Sequence, residues 1–164
     1  MRERAQSMSN EDHANVVIKP PLLFLAALGL GCLLSLAVPI GPALASPNGA
    51  ALAAGLGLIV GGLVLAVLSA QRFQRAGTSV VPDRPATALV TTGLYARSRN
   101  PIYIGLILVY VGLSITLTSV WVLLLLVPVL LILQQGVVLR EEAYLERKFG
   151  EAYAAYKARV PRWL

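Results

Sequence analysis

A chain of 164 residues, 57% hydrophobic and only 13% charged, carries more apolar side chain than a soluble domain of this size can hide from water. That richness also excludes intrinsic disorder, leaving a small one-domain integral membrane protein. The net charge of +6, from 14 Lys+Arg against 8 Asp+Glu, is then read as membrane orientation rather than as a sign of nucleic-acid binding.

Residues 1–19 are polar and mixed in charge, and a mobile tail is expected there. Pro20-Pro21 opens the first apolar run, which gives a span over about 22–45; a second covers 50–70. The Ala43-Leu44-Ala45 triplet resembles a signal-peptidase site. The preceding apolar run is longer than a signal core of about 7–15 residues and the tail is not basic, so retention is expected. In the second run Gly57-x-x-x-Gly61 is read as a close-packing face for a neighbouring helix, with Ala27 and Gly31 of the first run as a matching small surface.

From residue 102 the chain is uncharged until Arg140. Those 38 residues would make a helix of about 57 Å, nearly twice the hydrocarbon thickness. They are expected to fold as two spans, 102–117 and 120–139, with the turn within Ile115–Ser119. The fold class is therefore all-α: a polytopic membrane protein with four transmembrane helices and a C-terminal cytoplasmic or interfacial helix. Basic residues number three before the first span, five between the second and third, and six after the fourth, whereas the 39–50 and 115–119 connections carry no charge. All ionisable groups thus fall on one side, the cytoplasmic one, and both termini with them. The expected location is a bacterial inner membrane.

Chemistry is confined to two segments, 71–103 and 140–164, within a single membrane domain over 20–164. The first gathers Arg97, Arg99, Asn100 and Tyr103 around Pro101, which suits the first turn of a helix. Singly, each of these residues is also accounted for as an interfacial anchor. In the second segment Leu145, Phe149, Tyr153, Tyr156 and Val160 form one apolar-aromatic stripe at helical spacing, with a break near Gly150. Glu141 and Glu142 fall at the membrane end of the fourth span, where a carboxylate is costly unless paired. Glu142 and Glu146 add like-charge repulsion one turn apart. A cation is needed there: Arg97, Arg99 or the ammonium of a ligand. A lone Cys32 and a lone His13 support neither a disulfide nor a metal centre.

Two patterns now stand together: Gly93-x-Tyr95-x-x-x-Arg99-Asn100-Pro101-x-Tyr103-x-Gly105, and Glu141-Glu142-x-x-Leu145-x-x-x-Phe149-Gly150-x-x-Tyr153-x-x-Tyr156-x-x-x-Val160. In this order and separation they resemble the isoprenylcysteine carboxyl methyltransferase family, with which phospholipid N-methyltransferases share much. The resemblance covers about residues 71–164. It implies an S-adenosylmethionine-dependent membrane methyltransferase that binds its cofactor at the cytoplasmic ends of the helices and acts on a carboxylate or amine of a lipophilic, lipid-like acceptor. It places the cofactor among Gly93, Tyr95, Arg99, Asn100, Tyr103, Gly105, Glu142 and Tyr153. Arg99 would face the cofactor's carboxylate and Glu142 its ammonium or ribose diol; Arg99, Asn100 and Glu141 are the expected catalytic residues. Many family members carry histidine where this chain has Asn100, which can position a group but cannot take up a proton. The competing readings are a nicotinamide-dependent membrane reductase of related architecture and a non-enzymatic scaffold or transport protein.

Overall fold

The computed structural model describes residues 13–41, 45–81 and 84–164, and all regular structure among them is helical. Six α-helices follow one another: α1 (Pro20–Ala37), α2 (Gly49–Arg75), α3 (Pro101–Thr116), α4 (Val120–Leu133), α5 (Leu139–Phe149) and α6 (Glu151–Arg159). A single 3₁₀ turn, Gly93–Ala96, precedes α3, and a π-helical turn, Gln134–Val138, joins α4 to α5. Among the described residues three helices are long and apolar enough to cross a membrane: α1, α2 and the continuous Val120–Phe149. The fourth apolar helix, α3, has 16 residues, about 24 Å of rise.

The boundaries follow local chemistry. α1 stops at Ala37, short of the expected 45, because Pro39 disfavours helical backbone at the residue before it. Asn48 caps α2, its Oδ1 accepting from the Ala51 amide at 2.8 Å. At the other end Gly77 adopts a left-handed φ of +66°, and the Thr78 amide reaches back to the Phe73 carbonyl at 3.1 Å. This glycine cap lets α2 run through Arg72 and Arg75, past the expected end at residue 70. The turn between α3 and α4 falls at Leu117–Ser119, inside the expected segment, with Thr118 at φ +47°. The cleavage-like triplet cannot be followed, since Ala43 and Leu44 lie outside the described residues, as do residues 1–12 of the tail.

The chain divides into two compact units. One comprises residues 20–67 and 102–133 and is held by small residues and hydroxyls. Backbones of α2 and α3 approach through paired glycines. A Cβ on Gly62 would stand 2.5 Å from the Gly105 carbonyl oxygen, and one on Gly55 would stand 2.9 Å from that of Gly112. The expected face, Gly57 and Gly61, has open space around it, so the contact lies on another side of α2. Gly31 does serve close packing, but against Val122 of α4, where an added Cβ would meet Val122 Cα at 2.9 Å. The α1–α4 pair is further tied by Ser35 and Ser119, whose hydroxyls lie 2.7 Å apart. Exposed leucines and valines stud α1, α2 and α4, whereas α3 presents none. α3 is thus the most enclosed helix in this unit.

The other unit comprises the described residues 13–19 with 68–101 and 134–164. Residues 13–19 are fastened within it: the Val17 amide donates to the Gly136 carbonyl in the π turn, and Arg140 Nη1 donates to the Asn15 carbonyl, both at 3.0 Å. The expected aromatic stripe forms its core, where Tyr153, Tyr156 and Val160 are buried with Leu145, Phe149 and Leu89 packed against them. Gly150, at φ +51°, makes the break between α5 and α6.

Candidate functional site

Glu142 lies in the first turn of α5, in the last third of the continuous helix Val120–Phe149. Its side chain is 9% exposed, so its charge must be met inside the protein. Two arginines meet it. Arg99 Nη1 stands 3.1 Å from Glu142 Oε1. Arg162 makes a forked contact, with Nε 2.7 Å from Oε1 and Nη2 2.9 Å from Oε2. Planar two-point pairing of this kind is the strongest ion-pair geometry available to a carboxylate. The cation demanded by Glu142 is thus supplied by Arg99 and Arg162, while Arg97 lies elsewhere.

The backbone holds both arginines in register. After α6 the chain becomes extended at Val160, and the Pro161 carbonyl accepts from the Arg99 amide at 3.0 Å. The next carbonyl, of Arg162, accepts from Asn100 Nδ2 at 3.0 Å and from the Ser98 hydroxyl at 3.3 Å. Asn100 therefore fastens the loop before α3 to the C-terminal strand of chain that carries Arg162. Arg99 Nη1 also donates to the Tyr153 hydroxyl at 3.3 Å. Burial first, and the Glu142 charge second, push the Tyr153 hydroxyl above the usual phenol range, with Arg99 opposing them. Bonding to Glu142 raises Arg162.

One atom of this cluster is unsatisfied: Arg99 Nε is buried without an acceptor. Such a donor costs about 1–3 kcal/mol if nothing meets it. With one carboxylate against two guanidiniums the cluster keeps an excess positive charge beside that free N–H. The arrangement suits a ligand carboxylate. Glu146, the other half of the like-charge pair, is relieved separately by Lys157 at 3.3 Å on the surface.

Of the residues expected to share a site, the structure brings together Arg99, Asn100, Glu142 and Tyr153. Glu141, half-buried next to Glu142, contributes to the elevated Tyr95 hydroxyl, after burial and Tyr156. Tyr95 is buried, edge-on to Phe73 at 5.2 Å, and its carbonyl accepts from the Tyr156 hydroxyl at 2.7 Å. Gly93 lies elsewhere, at φ +66° against the Arg72 side chain, where a Cβ would stand 2.8 Å from Nε. Tyr103 and Gly105 belong to α3 in the other unit, Gly105 in the close contact with Gly62. Arg162 escaped sequence reasoning. Its signal was an arginine directly after Pro161, the residue that forces the chain out of α6.

The class defined so far is a helical integral membrane protein with a buried arginine–carboxylate cluster on the last third of one apolar helix. The phospholipid methyltransferase family model matches residues 50–152, more than half of the chain, and the protein belongs to that family of membrane methyltransferases. An uncharacterized protein of Haemophilus influenzae is 59% identical over 27 residues, which is 16% of this chain and 43% of that protein. The match therefore spans less than half of that relative. No solved structure matches the chain.

Proposed function

We propose that the protein is an S-adenosylmethionine-dependent methyltransferase whose Arg99–Glu142–Arg162 cluster receives the polar end of the cofactor. The observation that carries this reading is the buried Arg99 Nε with no acceptor, in a cluster with a surplus guanidinium. When bound, the cofactor supplies a sulfonium methyl group, whose carbon–sulfur bond breaks as the acceptor's oxygen or nitrogen bonds to that carbon. Arg99 and Arg162 hold the cofactor's carboxylate, and Glu142 accepts from its ammonium or ribose diol through lone pairs the arginines leave open. Asn100 positions Arg162 through its carbonyl and, unlike a histidine, needs no change of protonation to do so. Tyr153 orients Arg99.

Help of this kind is mainly positioning and removal of water. A carboxylate acceptor is nucleophilic as it stands. An amine acceptor must release a proton, for which Glu141 is the local base. The acceptor is lipophilic in this reading, which the apolar helices of a membrane protein support. All four apolar helices span the membrane, and the termini and the cluster face the cytoplasm of a bacterial inner membrane, as the charge distribution favours.

Calorimetric titration of the detergent-solubilised protein with S-adenosylmethionine, S-adenosylhomocysteine and NADPH tests the cofactor. Heat with the two sulfur nucleosides and none with NADPH is expected; a folded sample silent to both nucleosides refutes the reading. For topology, Ser46→Cys and Ala76→Cys, in a Cys32→Ala background, are expected to label from opposite sides of the membrane. Labelling from one side would end the four-span arrangement.

A further inference from the structure

A second basic locus lies apart from the Glu142 cluster. A cleft of about 380 Å³ at the end of α2 is lined by Leu68, Gln71, Arg72, Arg75, Gly93, Leu94 and Arg97. Three guanidiniums thus border one cavity with no carboxylate in its wall. Among the described residues none of the three has an ion-pair partner, in contrast to Arg99 and Arg162. Membrane orientation accounts for arginines at the cytoplasmic end of a span. It does not account for their convergence on one cleft, nor for Gly93, whose missing Cβ leaves room for the Arg72 side chain.

The approach to the cleft is apolar. Leu56, Val60, Val64 and Leu68 recur every four residues along α2, each about half exposed, and the next position in that row is Arg72. A row at this spacing lies along one face of a helix. Along this one helix the apolar row therefore ends in a basic residue, with Arg75 a further turn on. Leu68 and Leu94 give the cleft its apolar lining.

We infer that this cleft is a binding site for an anionic membrane phospholipid, its phosphate held by Arg72, Arg75 and Arg97 and the start of an acyl chain against Leu68 and Leu94. Guanidinium forks are matched to phosphate oxygens. Three positive charges also select the net charge of the headgroup. A phosphatidylglycerol keeps its single negative charge, whereas the ammonium of phosphatidylethanolamine is repelled by the same arginines. The site goes beyond the methyl-transfer reading and does not depend on it, since none of its three arginines belongs to the Glu142 cluster.

The test is competition read by native mass spectrometry. The full chain in neutral-detergent micelles is offered equimolar phosphatidylglycerol and phosphatidylethanolamine with matched acyl chains. Phosphatidylglycerol adducts should exceed phosphatidylethanolamine adducts roughly tenfold, the scale of one charge-assisted hydrogen bond. The Arg72→Gln/Arg75→Gln/Arg97→Gln variant should lose that preference, the triple lysine variant should keep most of it, and Arg159→Gln should leave it unchanged. Equal adducts on the unsubstituted chain overturn the inference whether or not the glutamine variant folds, as does a preference that survives in it. Two further arms bear on the occupant. Displacement of the lipid by equimolar inorganic phosphate would make the site one for a free anion, and displacement by S-adenosylhomocysteine would give the cleft to the cofactor. Either result overturns a lipid site; the first leaves the assignment of Glu142 untouched, whereas the second also takes the cofactor away from Glu142.

Discussion

The two compact units solve the problem of cohesion with different chemistry. In the unit of residues 20–67 and 102–133, helices approach through absent side chains: Gly55 meets Gly112, Gly62 meets Gly105, and Gly31 makes room for Val122. Small hydroxyls add polar ties there, as Ser35 does within α1 to the Gly31 carbonyl and across to Ser119. In the unit of residues 68–101 and 134–164, large side chains do the work, through four buried tyrosines and a carboxylate clasped by two arginines. An apolar surrounding gives helices no hydrophobic reason to associate, so close backbone contact replaces it. Water at a polar face restores that reason, and aromatic burial becomes effective again. The units should therefore respond to different kinds of substitution.

The largest response is expected at Glu142. Glu142→Ala leaves two guanidiniums facing each other, one of them buried, and breaking a buried pair in this way costs about 3–5 kcal/mol. In the proposed reading it also abolishes S-adenosylhomocysteine binding. Glu151→Ala, at an exposed position in the first turn of α6, should change stability by less than about 0.5 kcal/mol and leave binding intact. Equilibrium unfolding in mixed micelles, with calorimetry on the folded fraction, separates the two effects. Equal behaviour of the two variants would remove the special standing of Glu142.

The next response probes the other unit. Gly62→Ala places a Cβ 2.5 Å from a backbone oxygen, and overpacking against backbone costs about 1–3 kcal/mol. Gly61→Ala, one residue along in open space, should be neutral or stabilising by up to about 1 kcal/mol, because alanine is the better helix former. The sign of the difference matters more than its size. If both alanines destabilise alike, the α2–α3 contact is not made through Gly62.

This pair of glycines shows where sequence reading failed and why. Gly57-x-x-x-Gly61 and the pair Gly55 and Gly62 sit on the same helix, and nothing within α2 says which face is inward. The partner decides: Gly105 and Gly112 on α3 are also seven residues apart, and antiparallel packing sets 62 against 105 and 55 against 112. The clue lay in two helices read together. Arg162 was hidden for a related reason, since its approach to Glu142 depends on the return of α6 and the exit forced by Pro161. By contrast the stripe at 145, 149, 153, 156 and 160 was legible because one helical period, interrupted once by Gly150, encodes it. The turn at Leu117–Ser119 was legible because 38 uncharged residues overfill a bilayer and the β-branched, hydroxyl-rich segment Ile115–Ser119 marks the place.

A smaller effect separates the units by pH. Burial pushes the hydroxyls of Tyr95, Tyr153 and Tyr156 above the ordinary phenol value of about 10. In the unfolded chain these groups ionise near that value, so their stabilising contribution is complete below pH 10 and is lost as pH rises through their higher folded values. Each tyrosine that stays protonated only when folded steepens the loss by up to about 1.4 kcal/mol per pH unit above 10. Tyr95→Phe should flatten the alkaline limb by one such increment. An unchanged limb would mean that this ring ionises alike in both states.

The smallest expected effect isolates one hydrogen bond in the aromatic unit. The Tyr156 hydroxyl donates to the Tyr95 carbonyl at 2.7 Å and ties α6 to the 3₁₀ turn before α3. Tyr156→Phe keeps the ring, its packing on Tyr153 at 6.1 Å and its place in the core, and removes only the donor. A neutral hydrogen bond is worth about 1 kcal/mol net, and the stranded Tyr95 carbonyl keeps the loss from being smaller. A decrease of about 1 kcal/mol at neutral pH is therefore expected. The bond touches neither Arg99 nor Glu142, so in the proposed reading cofactor affinity should stay unchanged. The same hydroxyl-deleting change at Tyr153 would act differently: it removes an acceptor from Arg99, so its loss should appear mainly in binding. A Tyr156→Phe variant that binds normally but is less stable, beside a Tyr153→Phe variant that is stable but binds weakly, would show that one tyrosine holds the unit and the other holds the arginine.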